Sequence, residues 1–105
     1  MKNLIKNHIE EHIQIVSLIN DEIQDEILYF AQIMINAVKE KKTIFWCGNG
    51  GSSSDAQHLA AELVGRFKGD RKALRSLSLT ADSTVLTCIS NDYDFDNIFS
   101  RQVEA

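Results

Sequence analysis

The chain has 105 residues, of which 44% are apolar and 25% charged, and its formal net charge at pH 7 is −4. This length and composition are typical of one soluble globular domain or of part of one. The acidic balance disfavours a nucleic-acid-binding surface, because contacts with a phosphate backbone need clustered positive charge.

The same composition predicts a cytoplasmic protein that does not enter a membrane. Charged residues alternate with aliphatic ones at the N-terminus, so we expect no signal peptide. No apolar run approaches the roughly 20 residues of a membrane span. Cys47 and Cys88 match neither a disulfide nor a metal-binding spacing, and we expect both to be buried, reduced thiols.

Two helices are predicted at the start of the chain. Apolar residues recur at helical spacing over residues 3–19, and a second helix is predicted over residues 21–42 with Asn20 as its N-cap. We interpret the first helix as an assembly element that packs on another subunit. His8 and His12 share one face of it, but without a third ligand they are interpreted as solvated or interface histidines.

A strand, a glycine turn and a helix over residues 43–67 form the candidate site. Residues 43–47 are β-branched or aromatic without alternation, which is typical of a parallel strand covered on both faces. The turn at residues 48–51 then brings backbone N–H groups and a helix N-terminus to the carboxyl edge of the sheet, where such folds bind ligands. Ser52 and Asp55 have the spacing of a capping box, which predicts a helix that starts at Ser53.

Polar side chains recur every four residues along this helix. His58, Glu62 and Arg66 are successive i, i+4 neighbours, with Asp55 one turn earlier on nearly the same side. Imidazole and carboxylate one turn apart can share a divalent ion, and this donor set suits zinc or a similar metal. A guanidinium one turn further on could bind a phosphate. Simpler readings stay open: a Glu62–Arg66 surface ion pair, a solvated His58, and Asp55 as a capping acid.

The opposite face of the helix is apolar and is predicted to pack on the sheet. Its members are Ala56, Leu59, Ala60, Leu63, Val64 and Phe67.

The remaining residues predict a second strand and two more helices. The strand covers residues 74–80, Asp82 or Ser83 can cap the next helix, and Asn91 and Asp92 end it. Residues 94–96 lead into the last helix. The order is then helix, helix, strand, helix, strand, helix, helix, and strands separated by helices imply parallel crossovers. The predicted fold class is α/β, a doubly wound, flavodoxin-like parallel sheet preceded by N-terminal helices.

Three motifs are more specific than the pattern around them: the turn Gly48-Asn-Gly-Gly-Ser52, the helix His58-x-x-x-Glu62, and the pair Asn91-Asp92. With these motifs the chain resembles, over essentially its whole length, the phosphoheptose isomerases of the sugar isomerase (SIS) domain superfamily. The resemblance implies that residues 1–105 are the N-terminal part of one SIS domain. Residues 1–42 would be its helical N-terminal segment and residues 43–105 the start of its sheet.

The resemblance implies an aldose–ketose isomerase. Its reaction would interconvert sedoheptulose 7-phosphate and D-glycero-D-manno-heptose 7-phosphate by an enediol-type proton transfer, the first step towards ADP-heptose and surface polysaccharides such as lipopolysaccharide. Glu62 would be the catalytic acid–base and, with His58, a ligand of one zinc ion in a homotetramer. The implied substrate-binding residues are Asn49, Gly50, Gly51, Ser52, Glu62, Arg66, Asn91 and Asp92.

Parts of the family pattern do not occur in the chain. It has no Ser-Thr-Ser-Gly-like phosphate loop, and the late His and Gln of the family's site are missing. We therefore expect the remaining metal ligands beyond Ala105 and expect the chain alone to be inactive. Two non-catalytic alternatives are a SIS-domain adaptor that binds the replication initiator and a regulatory module that binds phosphosugars. Such adaptors typically lose the acids at Asp55 and Glu62, so their presence favours the enzyme.

Overall fold

The protein is described by a computed structural model of residues 1–105. Its elements in chain order are α1 (Lys2–Ser17), α2 (Asp21–Lys39), β1 (Ile44–Trp46), α3 (Gly51–Val64), β2 (Ser76–Ser78), α4 (Ser83–Asp92), a 3-10 turn (Phe95–Asn97) and α5 (Ser100–Glu104). The predicted order is confirmed, with the 3-10 turn added before the last helix. Contacts divide the chain into two compact units, Met1–Asn36 and Ala37–Ala105.

The two N-terminal helices form close to their predicted bounds. The side-chain Oδ1 of Asn20 accepts a hydrogen bond from the Ile23 N–H at 3.0 Å, so the predicted N-cap of α2 is confirmed. Neither α1 nor α2 has a buried residue, and their large apolar side chains, such as Ile5 and Ile9, are exposed. No helix of the chain combines the length and the apolar character that a membrane crossing requires.

Helix α2 ends three residues before the predicted residue 42. Lys41 takes a positive φ of 58°, its N–H bonds to the Val38 carbonyl at 3.0 Å, and the Lys42 N–H bonds to the Ala37 carbonyl at 2.8 Å. This pair of bonds is a Schellman motif, which ends a helix with one residue in the left-handed region.

The two strands pair in parallel, which confirms the α/β class. Ile44 lies opposite Ser76, and Trp46 opposite Ser78. Both strands have three residues, fewer than predicted. The expectation that β1 is covered on both faces is wrong, because Phe45 is 47% exposed.

The core lies between α3 and the strands. Helix α3 packs on both β1 and β2, and its buried residues are Ala56 and Ala60. Because alanine side chains are short, the helix can approach the strands closely. The predicted apolar face is wider than the observed one, since Leu59, Val64 and Phe67 are exposed.

The buried residues of the β2 segment include hydroxyl-bearing ones. Ser78 and Thr80 are the only buried polar residues of the chain, and Leu79 between them is buried as well. Leu77, by contrast, is 53% exposed. The last residue of β2 and the second residue after it therefore bring two hydroxyl groups into the interior beside α3.

Candidate functional site

The turn between β1 and α3 needs glycine at two positions. Gly50 has φ +57° and ψ −125°, a conformation that L side chains rarely adopt. A Cβ on Gly48 would lie only 2.6 Å from the carbonyl oxygen of Ser52. The backbone therefore folds back on itself more tightly than residues with a Cβ permit.

The predicted capping box at the start of α3 is wrong. The helix begins at Gly51, Gly50 is its N-cap, and no side chain forms a capping hydrogen bond. The positive φ of Gly50 lets the helix begin two residues before the predicted Ser53, which places Ser52 inside the first turn. From there the Ser52 hydroxyl is not in the N-cap position, and Asp55 is not the acid of a capping box.

A cavity of about 610 Å³ opens at the carboxyl ends of β1 and β2. The glycine turn forms one side of it, α4 and the 3-10 turn region form another, and Thr80 lies between them. Its polar lining residues are Asn49, Ser53, Thr80, Thr87, Ser90 and Asn91. This volume lies within the usual range for small-ligand pockets. Amide and hydroxyl groups around an open cavity suit a polar ligand with several hydroxyl groups.

Three of the predicted substrate-binding residues line this cavity: Asn49, Gly50 and Asn91. Gly51, Ser52 and Asp92 are their sequence neighbours and do not line it. The Asp92 carboxylate accepts hydrogen bonds from the Asn91 side-chain amide at 2.9 Å and from the Cys88 thiol at 3.5 Å. Asp92 therefore orients Asn91 in this structure.

The His58 and Glu62 side chains meet on α3 outside this cavity. His58 Nε2 lies 3.5 Å from Glu62 Oε1, and the two side chains are 74% and 33% exposed. An imidazole nitrogen and a carboxylate oxygen are suitable zinc donors. They fit two positions of a metal site, but no cluster of three or more His, Cys, Asp or Glu residues occurs in the chain. A complete site would need further donors.

Arg66 does not continue the line of His58 and Glu62. Helix α3 ends at Val64 and Gly65 is its C-cap, so Arg66 lies in the following loop. The predicted i, i+4 relation to Glu62 is therefore wrong, and no Glu62–Arg66 ion pair forms. Arg66 lines a small surface depression with Lys68 and Gly69.

Another arginine, Arg71, contacts the end of α3. Its Nη2 donates to the Glu62 carbonyl at 2.6 Å and its Nη1 to the Leu63 carbonyl at 2.9 Å. A cation is favourable here because the last carbonyl groups of a helix lack partners and carry the negative end of its dipole. Arg71 was not predicted from the sequence, because its distance from Glu62 along the chain corresponds to no helical spacing.

Four hydroxyl groups of the cavity were not predicted from the sequence either, those of Ser53, Thr80, Thr87 and Ser90. For Thr80 a signal exists: a hydroxyl residue two positions beyond the end of a parallel strand lies at the edge where ligands bind. The other three have no distinctive spacing.

The expectation that both cysteines are buried is wrong, since both are exposed. Cys47 comes just after the short strand β1. Cys88 lies on α4, where the hydrogen bond to the Asp92 carboxylate, helped by its negative charge, raises the pKa of the Cys88 thiol.

Known proteins resemble this chain over most of its length. The SIS domain model matches residues 7–105. The phosphoheptose isomerase of Geotalea daltonii is 46% identical over 101 residues, which are 96% of this chain and 53% of the relative. The phosphoheptose isomerase of Clostridium acetobutylicum is 47% identical over 107 residues, which cover 100% of this chain and 55% of the relative.

Solved structures give the same result. A phosphoheptose isomerase from Francisella tularensis aligns with a TM-score of 0.91 and 30% identity, over 98% of this chain and 54% of that one. A phosphoheptose isomerase from Neisseria gonorrhoeae aligns with a TM-score of 0.88 and 35% identity, over 98% of this chain and 53% of that one. The chain spans about half the length of the relatives it matches. The resemblance inferred from the motifs is confirmed, and the chain belongs to the SIS domain family.

Proposed function

We propose that the chain is part of an isomerase that interconverts sedoheptulose 7-phosphate and D-glycero-D-manno-heptose 7-phosphate, on the route to ADP-heptose and surface polysaccharides. The observation that carries the proposal is the cavity at the sheet edge, where Asn49, Gly50 and Asn91 come together. Relatives named phosphoheptose isomerase support the same activity. The non-catalytic adaptor and the regulatory module gain no support from these relatives.

In this proposal the cavity binds the sugar phosphate. The side-chain amides of Asn49 and Asn91 can each donate and accept hydrogen bonds, which matches the hydroxyl groups of a sugar. Gly50 and Gly51 let the substrate approach the backbone at the N-terminus of α3, with Ser52 beside them. Asp92 acts through Asn91, which it orients. Arg66 lies in the loop after α3, away from this cavity, and its predicted phosphate contact is kept as a proposal for the complete protein only.

Glu62 is the proposed acid–base. Because its side chain lies outside the cavity of these residues, this role requires the complete protein to bring the substrate and the carboxylate together. In the ketose-to-aldose direction the carboxylate would take a proton from C1, next to the C2 carbonyl, which leaves an enediolate. Return of the proton to C2, together with transfer of the C1 hydroxyl proton to the C2 oxygen, yields the aldose. Glu62 is only one-third exposed, and Arg71 holds its backbone carbonyl, so the carboxylate starts from a fixed helical turn.

His58 and Glu62 are proposed to hold one zinc ion with further ligands from outside these 105 residues. When bound, the ion would supply stabilisation of negative charge on a substrate oxygen. His58 Nε2 and Glu62 Oε1 are close enough to share one ion. Because two donors do not complete a site, we expect this chain alone to be inactive.

We further propose a cytoplasmic homotetramer. The large apolar side chains of α1 and α2 are exposed, and burial against other subunits would remove that surface from water. Two exposed, unpaired cysteines are in keeping with a reducing compartment.

The test replaces Glu62 by Gln in the protein as its gene encodes it. Because the amide cannot act as a base, turnover of sedoheptulose 7-phosphate should fall by about 10²–10⁴-fold, while calorimetry still detects binding of the sugar phosphate. The matched control is Glu104→Gln, which changes an exposed acid in α5 and should leave turnover unchanged. Normal turnover of Glu62→Gln would refute the assignment of the base. A wild-type protein that binds the substrate without turning it over would favour the phosphosugar-binding module.

A further inference from the structure

We propose that Thr80 is a positioning residue, whose hydroxyl holds the first turn of α3, and with it the glycine turn, in place beside the cavity. This inference rests on the proposed function of the cavity. Thr80 lines the cavity and yet is only 7% exposed, so its hydroxyl must find partners within the protein.

The direction of the hydrogen bonds around Thr80 follows from its single hydroxyl proton. The hydroxyl donates to the Ser53 carbonyl at 3.0 Å. It therefore cannot also donate to Ser78, whose Oγ lies 2.8 Å away, so the Ser78 hydroxyl donates to Thr80. The result is a relay from Ser78 through Thr80 to the carbonyl of Ser53, which is itself a lining residue of the cavity.

A second bond joins Thr80 to α3 one helical turn further along. The side-chain amide of Gln57 donates to the Thr80 carbonyl at 3.2 Å. Ser53 and Gln57 are i, i+4 neighbours on the helix. Thr80 thus contacts the first turn of α3 through its side chain and the second turn through its main chain, and this fixes the rotation of the helix start relative to β2.

These bonds close a ring around the glycine turn. At one end of the turn, the Trp46 carbonyl accepts from the Leu79 N–H at 2.9 Å. At the other end, Ser53 accepts from Thr80, the next residue after Leu79. The segment between Trp46 and Ser53 contains glycines at positions 48, 50 and 51, which restrict the backbone little. With the Leu79 bond, the Thr80 hydroxyl determines where Asn49 and Gly50 lie.

The experiment compares three variants of the protein as its gene encodes it. Thr80→Val keeps the shape and removes the hydroxyl, and Thr80→Ser keeps the hydroxyl. Ser78→Ala removes the other buried hydroxyl, which also accepts from the Thr80 N–H at 3.3 Å, and leaves the bond between Thr80 and Ser53. The measurements are KM and kcat for sedoheptulose 7-phosphate and amide hydrogen exchange of residues 49–54.

Thr80→Val should raise KM about tenfold, the equivalent of one hydrogen bond, with a smaller change in kcat. Exchange of residues 49–54 should become faster by about the same factor. Thr80→Ser should restore both values to within about twofold of the wild type. Ser78→Ala should lower the thermal midpoint while KM and turn exchange stay near the wild-type values, because the bond between Thr80 and Ser53 remains.

A purely structural role for Thr80 predicts different results. Equal effects of Thr80→Val and Ser78→Ala on turn exchange, or a Thr80→Ser variant as impaired as Thr80→Val, would overturn the proposal. If Thr80→Val does not fold, Thr80→Ala replaces it, because it removes the same hydroxyl and with it the bond to the Ser53 carbonyl. Exchange at residues 49–54 as slow in Thr80→Ala as in Thr80→Ser would then overturn the proposal. A wild-type protein without isomerase activity refutes the proposed function, while the exchange data still decide the role of Thr80.

Discussion

Replacement of Arg71 by Ala should destabilise the protein more than any ordinary surface substitution. The guanidinium group bonds to the carbonyl oxygens of Glu62 and Leu63 at 2.6 and 2.9 Å, and more distantly to those of Gly65 and Lys72. The first two belong to the last turn of α3, where carbonyl groups lack partners within the helix. Removal of the side chain leaves the Glu62 carbonyl to water, while the Leu63 carbonyl keeps one bond, from the Leu74 N–H at 3.0 Å.

The magnitude follows from the two short bonds. A hydrogen bond to a charged group contributes about 1.5–3 kcal/mol when it is shielded from water. Arg71 is only half-buried, so water replaces part of each bond and the smaller figure applies to the pair. A cation at a helix C-terminus adds about 0.3–1 kcal/mol. Arg71→Ala should therefore lower the free energy of unfolding by about 2–2.5 kcal/mol.

The assay is urea unfolding followed by circular dichroism, with two comparison variants. Arg75→Ala loses one hydrogen bond, to the Lys41 carbonyl at 3.2 Å, and should cost less than about 1 kcal/mol. Arg71→Lys keeps the charge but loses the planar guanidinium group, so its loss of unfolding free energy should lie between those of the other two variants. If Arg71→Ala is no more destabilising than Arg75→Ala, the guanidinium does not cap α3.

Two further predictions concern the turn and α4. Gly50→Ala should destabilise the folded protein by about 1–3 kcal/mol, because alanine rarely adopts the φ of +57° found at this position. Gly51 has open space around it, so Gly51→Ala should change the stability by less than about 1 kcal/mol. Equal thermal midpoints of the two variants would contradict this prediction. At pH 8.5, Asp92→Asn should speed alkylation of Cys88 by iodoacetamide, measured by peptide mass, because the carboxylate raises the thiol pKa above its ordinary 9.0. An unchanged alkylation rate would refute this effect of Asp92 on Cys88. The raised thiol pKa also stabilises the folded state at pH values below the pKa of the unfolded thiol. This stabilisation is lost as the pH rises through the raised pKa of the folded state.

Helix starts were predictable from the sequence where the cap is a side chain close to its partners. Asp82 caps α4 as predicted, and its Oδ1 accepts from the N–H groups of Thr84 and Val85 at 2.9 and 3.0 Å. The start of α3 was not predictable in the same way. Ser52 and Asp55 have the right spacing, but the backbone angles of Gly50 decide where the helix begins, and spacing carries no information about them.

In the candidate site, too, only the residues that belong to local motifs were predictable from the sequence. Asn49, Gly50 and Asn91 belong to recognisable motifs, and the structure brings them to one cavity. The contribution of Thr80 depends on contacts across 23 and 27 residues of chain, to Gln57 and Ser53, which no local pattern encodes. The metal-binding and catalytic roles of His58 and Glu62 stay predictions.

The pairing of β1 and β2 has a consequence for handling the protein. Each strand has only one neighbour, so the outer flank of each presents backbone N–H and C=O groups without a strand partner. Beside these open edges lie the exposed apolar side chains of Phe45 and Leu77. Such an edge readily accepts a strand from another molecule. These 105 residues, produced by themselves, should therefore precipitate or form strand-linked aggregates as concentration rises, and a solubility tag or an added strand should suppress this.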